Sequence, residues 1–378
     1  MPPLNRVIRA GSCAAAVFTL ACAHDVVAPE RAIGVAVSAS NHYDDDDDDE
    51  GHASRGVRVV TFEDFALGAI HGQFDWQSTG GQGSGAAPLS FCAVYDHVIA
   101  DPATLVPTAF RNAFGERSLR ISNAVTSGCY ADHTFSHRAT DVAGERGASS
   151  RSKDGLTEYA LDGARLRNHL DIEWSIMSAR PDAWQPGLEL VASPARGDDH
   201  RMSWVQVADR VDGLAVVFAE RSNPADPGAF ARSTIVHGLD RRRAHVIRVS
   251  MDFLDGPGND IARVYVDGVL RHTGASWETY YNYEANGRLN FGGATPAVNR
   301  VMFRTGSDTH RGVPGDPAPA TLGYGFLIDR VSVAVFSVAR SADACRDGGW
   351  RDTRDASGRP FRNQGDCVSW VRSARRAR

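Results

Sequence analysis

Apolar and polar side chains take turns along one short segment after another from about residue 57 to about residue 338, and a chain with that period lies down as strands. In the stretch His169-Leu170-Asp171-Ile172-Glu173-Trp174-Ser175-Ile176-Met177 the even positions are apolar and Asp171, Glu173 and Ser175 are polar. Ile247, Val249, Met251 and Phe253 alternate with Arg248, Ser250 and Asp252 in the same way, and Leu119 and Ile121 do so around Arg120. Ile261 to Val266, then Asp267-Gly268, then Val269-Leu270 reads as a hairpin on an Asp-Gly turn. No comparable stretch repeats the helical period, and residues 161–169 suffice for one helical turn at most. Ten or more strands with one oily face each must be closed by a second sheet, so the fold class is all-β: two stacked antiparallel sheets. Trp76 and Trp174 are expected in the shared core.

The two ends read differently. Arg6 and Arg9 precede an apolar stretch over residues 14–23, the layout of an export signal and too short for the roughly 20 apolar residues that span a bilayer. Residues 1–23 are therefore expected to be a signal peptide. Ala21-Cys22-Ala23 suits an ordinary signal peptidase, whereas Thr19-Leu20-Ala21-Cys22 is similar to a lipoprotein box with Cys22 as the lipidated residue, although Thr19 stands where leucine is usual. Both outcomes stay open, and with them a cell-envelope lipoprotein or a secreted or periplasmic protein. Residues 24–56 contain six consecutive aspartates, 44–49, and Glu50, a run that repels itself and is expected to be a disordered acidic linker. Of six cysteines, Cys13 and Cys22 belong to the signal. The other four are expected to pair as Cys92–Cys129 and Cys345–Cys367, since disulfides suit an exported chain. The second pair closes a small C-terminal module, residues 339–378, on Trp350, Phe361 and Trp370; such a loop gains about 3 kcal/mol in the chain-entropy model. The formal net charge of -5 on 378 residues gives no case for nucleic-acid binding.

Four segments, taken in order, resemble the concanavalin A-like lectin/glucanase (LamG-like jelly-roll) superfamily, in a form found in secreted bacterial proteins. They are Thr61-Phe62-Glu63-Asp64-Phe65 with Gly72-Gln73-Phe74-Asp75-Trp76; Gly115-Glu116-Arg117-Ser118-Leu119-Arg120-Ile121-Ser122-Asn123; Val264-Tyr265-Val266-Asp267-Gly268 with His272-Thr273-Gly274; and Gly325-Phe326-Leu327-Ile328-Asp329-Arg330-Val331-Ser332-Val333. The resemblance covers roughly residues 57–338. It implies a two-sheet antiparallel jelly-roll sandwich whose first and last strands are neighbours in one sheet. It also implies that ligands, a sugar or calcium, are met near sheet ends, which would concern Asp329; the plainer role for that carboxylate is to cap a turn. Calcium is the one cofactor left open, and the sequence shows no metal motif. The Cys-bounded tail, with Gly348-Gly349-Trp350, Asn363-Gln364-Gly365 and Cys367-Val368-Ser369, resembles a short C-terminal element of other secreted bacterial proteins.

No catalytic signature stands out. Asp171 and Glu173 share one strand face about 6.6 Å apart at ~3.3 Å per residue, within the ~5–9.5 Å used by paired-carboxylate glycosidases. A third acid is missing, because Ser175 and Ile176 occupy the positions beyond. A lyase would use Arg248, Arg263 and Tyr265, outward by parity, with His200 or His245. Sugar binding asks for less: aromatic platforms with planar polar groups on a sheet face or loop rim. Trp277, Tyr280 and Tyr281 form the densest aromatic stretch and are expected on a loop or the next strand. Trp204 points opposite to Val205 and Val207, and Trp184 lies in a loop between Pro181 and Pro186. The sequence therefore predicts an exported, non-catalytic carbohydrate-binding protein whose partner is a glycan and which meets the membrane only through a lipid anchor, in the case that Cys22 is lipidated. The alternatives are a polysaccharide hydrolase or lyase on the outward face, or a structural envelope protein.

Overall fold

A computed structural model describes residues 58–78, 96–107, 110, 114–123, 133–146, 164–196, 202–220, 230–283, 296–305 and 324–376. The expected signal peptide, the acidic linker, Cys22, the Cys92–Cys129 pair and His200 lie outside these residues. In chain order the strands are β1 (Val59–Val60), β2 (Gly68–Ala69), β3 (Gln77–Ser78), β4 (Asp96–Ala100), β5 (Ser118–Ser122), β6 (Thr134–Phe135), β7 (Val142–Ala143), β8 (Leu166–Arg167) and β9 (His169–Ser178). They continue as β10 (Glu189–Ala195), β11 (Trp204–Arg210), β12 (Gly213–Glu220), β13 (Ala231–Leu239), β14 (His245–Asp252), β15 (Ile261–Val266) and β16 (Val269–Ala275). Helix α1 (Glu278–Tyr283), β17 (Arg300–Thr305), β18 (Phe326–Val338), α2 (Gly349–Asp352), β19 (Thr353–Arg354) and α3 (Gln364–Arg376) complete the described chain.

The strands build a sandwich of two large antiparallel sheets. One large sheet runs β16-β15-β14-β9-β18-β5-β4-β2, with β1 and β19 also on β18; the other runs β13-β12-β11-β10-β17-β6-β3. The first strand does lie beside the last, Val59 opposite Ser332 and Val60 opposite Val331. Period two sets which side chains meet. Leu170, Ile172, Trp174 and Ile176 face inward from β9 and are all buried, as are Ile247, Val249 and Met251 of β14. From the opposite sheet come Val205, Val207, Val216, Phe218 and Phe303. Trp76 stacks parallel to Phe303 at 6.5 Å, and Trp174 meets that ring edge-on at 5.8 Å, so one aromatic column ties the two layers together.

The Asp-Gly hairpin forms as read, with Asp267 and Gly268 both at positive φ (52° and 76°), the twist-matched turn between antiparallel strands. Gly325 is required for a different reason. Its φ is +80°, and an added Cβ would sit 2.3 Å from the carbonyl oxygen of Ile121. The tail is closed by the Cys345–Cys367 disulfide around Ala339, Phe361 and Val371. Its thirteen-residue helix α3 is absent from the sequence reading.

Candidate functional site

Two outward sheet faces carry chemistry. On the ten-stranded sheet, β9 and β14 pair so that Asp252 lies opposite His169, Ser250 opposite Asp171 and Arg248 opposite Glu173. His169 Nδ1 is 2.7 Å from Asp252 Oδ1, and Nε2 is 3.4 Å from both Asp171 Oδ2 and Ser250 Oγ. Burial opposes charging this imidazole, but the hydrogen bonds it donates to Asp171 and Asp252, and the charges on those carboxylates, outweigh it and lift His169 to about 9. Burial pushes Asp171 up as well, yet the His169 contact and the Arg248 charge hold it below the usual range. Asp252 is also held low; it accepts from Arg263 at 2.8 Å and from Arg340 at 3.2 Å. Glu173 beside them is exposed at its tip, while partial burial raises its carboxyl. Arg248 stacks on Tyr265 at 4.1 Å. The arginines and tyrosine of the lyase reading are thus brought to one face, but His245 is not. It faces Asp267 and the Asp240 carbonyl at the hairpin end, 2.9 Å from each.

The seven-stranded sheet turns a different set outward. Val205 and Val207 pair with Ala192 and Leu190 on the core side, so Trp204, Gln206, Val191 and Ser193 point away from the core. The next pairings add Arg300, Met302 and Arg304 from β17 and Arg232 and Thr234 from β13. Trp204 lies between two guanidinium groups, Arg232 at 5.0 Å and Arg304 at 5.3 Å from its ring. Arg232 is exposed, Trp204 is 5% exposed and Arg304 2%, so the row runs from solvent into the sheet surface. The indole Nε1 of Trp204 and the hydroxyl of Ser193 are buried and have no hydrogen-bond partner among the described residues. Arg300 reaches Gln77 Oε1 at 3.3 Å further along. Glu189, at the other end of the face, is paired with Arg210 at 2.9 Å.

The other aromatic candidates separate on burial. Trp277 and Tyr281 are each 3% exposed, which corrects their reading as sugar platforms, because a stacking platform needs an open ring face. Trp277 donates its Nε1 to the Ala219 carbonyl at 2.9 Å and its backbone N–H to Met202, locking it between strands. Their segment forms the short helix α1 rather than a loop or strand, and Tyr280, partly buried, packs against Trp277, Tyr281 and Phe230. Trp184 is open, at 42%. Its loop is pinned by the neighbouring Gln185, which donates to Ser178 Oγ and the Gly325 carbonyl and accepts from Gly325 N–H.

Asp329 caps the bulge in β18. Its Oδ1 accepts the N–H of Arg330, which sits at φ +51°. Burial first, then the Glu63 charge, raises it to about 8. Among the described residues no three His, Cys, Asp or Glu side chains gather as metal ligands. The sequence reading missed Arg232, Arg300, Arg304 and Ser193. The signal was parity along Arg300-Val301-Met302-Phe303-Arg304, where both arginines share the side opposite Val301 and Phe303.

No known protein family matches this chain, and no curated protein matches it. Solved structures do. An endo-1,3-β-glucanase from Streptomyces sioyaensis is 15% identical, with 73% of this chain and 94% of that one covered, at a TM-score of 0.37. An endo-β-1,4-glucuronan lyase from Trichoderma reesei is 11% identical over 69% and 94%, at 0.33. An alginate lyase from Pseudomonas aeruginosa is 10% identical over 58% and 82%, at 0.34.

Proposed function

We propose that this chain is an exported, non-catalytic carbohydrate-binding protein that receives its glycan on the outward face of the seven-stranded sheet. The observation that carries this is Trp204, held between Arg232 and Arg304 with its own N–H and the neighbouring Ser193 hydroxyl buried and unsatisfied. Buried polar groups are rarely left without partners, and sugar hydroxyls would supply partners to the indole N–H and to Ser193, with no stacking on the covered indole ring required. The exposed Arg232 at the end of the row favours a carboxylated sugar, because guanidinium binds carboxylate through two parallel hydrogen bonds. The Cys345–Cys367 bridge supports an oxidising, exported setting.

The test is retention on immobilised polyuronate against neutral glucan, with release of products assayed in parallel. The reading expects retention that weakens with salt. Arg232→Ala, at the exposed end of the row, should lower affinity about tenfold, or ~1.4 kcal/mol. Trp204→Phe keeps the ring but removes the N–H and should weaken binding by a smaller factor. Absence of retention on every glycan, or retention unchanged in both variants, overturns the reading.

A second reading, hydrolysis, is favoured by one observation: Asp171 is held low while its strand neighbour Glu173 is raised, the divergence that separates a base from an acid. Sugar release abolished by Glu173→Gln would move the assignment to that face.

A further inference from the structure

Four of the seven large apolar side chains left open among the described residues stand at one end of the sandwich: Trp184, Val211, Val269 and Leu270. The connections set that end. The loop after β9 leads into β10, and residues 240–244 lead from β13 into β14, so each crosses between the sheets. Both cross at the same end, because His245, where β14 starts, lies opposite Ile176 near the close of β9. The β11–β12 turn belongs there because Leu214 lies opposite Leu239, and the Asp267-Gly268 turn because Ile247 lies opposite Val266. Side chains tie these segments together. The N–H of Gln185 donates to Asp209 at 3.0 Å, Arg241 donates to Asp209 and to the Arg210 carbonyl, and His245 lies between the Asp240 carbonyl and Asp267. Each open apolar residue is within three residues of a member of this bonded network.

Val211 is 73% open, and Val269 and Leu270 are 49% and 48% open. Apolar side chains held out on fixed turns mark a contact surface. Charge does not choose its partner. Segments 180–189, 209–213, 240–243 and 267–271 hold six arginines and six carboxylates, so no excess remains to attract a polyanion. Three of those carboxylates already sit on an arginine: Asp209 on Arg241, Glu189 on Arg210 and Asp267 on Arg243. Paired charges cost less than lone ones to bring against a medium of low dielectric. The apolar tips also stand on three separate segments. A protein interface is built on a contiguous, closely packed core, whereas a fluid lipid surface takes separate tips. Tryptophan rings settle at the headgroup level of a bilayer, and arginine stems lie along apolar surface with the guanidinium in water. We infer that this end of the sandwich docks on a lipid bilayer, with Trp184, Val211, Val269 and Leu270 entering its interfacial layer. The contact goes beyond the glycan reading and does not rest on it, and the sandwich makes it without a lipid anchor.

Quenching of tryptophan emission by phosphatidylcholine vesicles with brominated acyl chains, measured on the full chain, tests it. Trp76, Trp174, Trp204 and Trp277 are buried, so the quenched component should belong to Trp184 and vanish in Trp184→Phe. Leu270→Ser should weaken the quenching affinity about tenfold, the scale of one buried aliphatic side chain. Changing Val211→Ser, Val269→Ser and Leu270→Ser together should abolish it. Leu67→Ser, at a position open beside β2, should leave it unchanged. So should ~1 M salt, where screening acts within ~3 Å. Trp184 emission untouched by the vesicles, quenching that survives the triple change, or quenching lost at high salt overturns the inference. Self-association without lipid that the triple change abolishes would also overturn it and assign this end to a second copy.

Discussion

His169, Ser250 and Asp252 stand in the order of a nucleophile relay, with the hydroxyl at Nε2 and a carboxylate at Nδ1. The chemistry does not follow, for a reason visible at the same ring. A general base must be neutral at working pH, and here a second carboxylate, Asp171, shares Nε2 while Asp252 holds Nδ1, so the proton stays on to about 9. Ser250 and His169 are also buried. The cluster is an ionic tie that joins β9, β14 and, through Arg340, the start of the tail. Its pH dependence has a definite sign. The folded pKa lies above the unfolded value of 6.5, so the stabilisation is complete below about 6.5 and is lost as pH rises through about 9. Its size is of order 3 kcal/mol at ~1.4 kcal/mol per pKa unit. His169→Gln should flatten that slope in unfolding free energies measured from about pH 6 to about pH 10. A slope identical to wild type would show that His169 is not its source. Parity in the sequence placed Asp171 and Glu173 on one face. It could not supply the register that sets Asp252 against His169, because strand pairing is a property of two segments and a single alternating segment fits many partners.

The hairpin-flanking loop over residues 254–260 is held by side chains rather than by ladder bonds. Glu278, at the start of α1, accepts the N–H groups of Asn259 and Asp260, and Glu145 accepts that of Gly256. Asp260 itself accepts from Leu254 N–H at 2.8 Å and from the Ser276 hydroxyl at 2.9 Å. Burial, followed by repulsion from Glu278 and Glu145, raises Asp260 to about 7. The native loop therefore keeps a proton that the unfolded chain gives up near 3.8, so this element loses stability as pH rises from about 4 to about 7. Asp260→Asn mimics the protonated form. It should leave stability unchanged near pH 4 and raise it above pH ~7, seen in thermal melts at both ends of that window. A variant less stable at both ends would refute this. The tail offers the contrasting case of an element the sequence half revealed. Cysteine spacing marked the disulfide, and Cys367, Val368, Trp370, Val371 and Ala374 are the five apolar positions of the helix, but they span little more than two turns, too short a stretch for periodicity to resolve. Helix α3 gains its stability from packing on Cys345 and Phe361 rather than from its own pattern.

At the scale of the molecule the core was legible and the outward faces were not, for one physical reason. Burial imposes a strict rule on every second residue, so Trp174, Ile247 and their neighbours could be assigned by parity alone. Water imposes no such rule on the other face. Trp204 was correctly turned away from Val205, but that Arg304 and Arg232 would flank it depends on which strands lie beside β11 and β10. The aromatic density around Trp277 misled because a ring-rich segment serves equally well to seal a sandwich flank, as the Trp277 bond to Ala219 shows. The same division between layered core and stapled tail predicts two kinds of unfolding. Phe303 touches Trp76 from its own layer and Trp174 from the other, so Phe303→Ala opens a cavity shared by both sheets and should cost about 3–5 kcal/mol. Because the sheets unfold together, the denaturant midpoint should fall while the m-value, which tracks the surface exposed, stays constant. Cys345→Ala removes a loop constraint worth about 3 kcal/mol, but only from a module with its own small cluster. Hydrogen exchange should then rise in α3 and leave β9, β14 and β18 protected. If Cys345→Ala lowered protection across β9 and β14 as far as Phe303→Ala does, tail and sandwich would be one cooperative unit, coupled through Arg340 and Asp252 rather than merely adjoining.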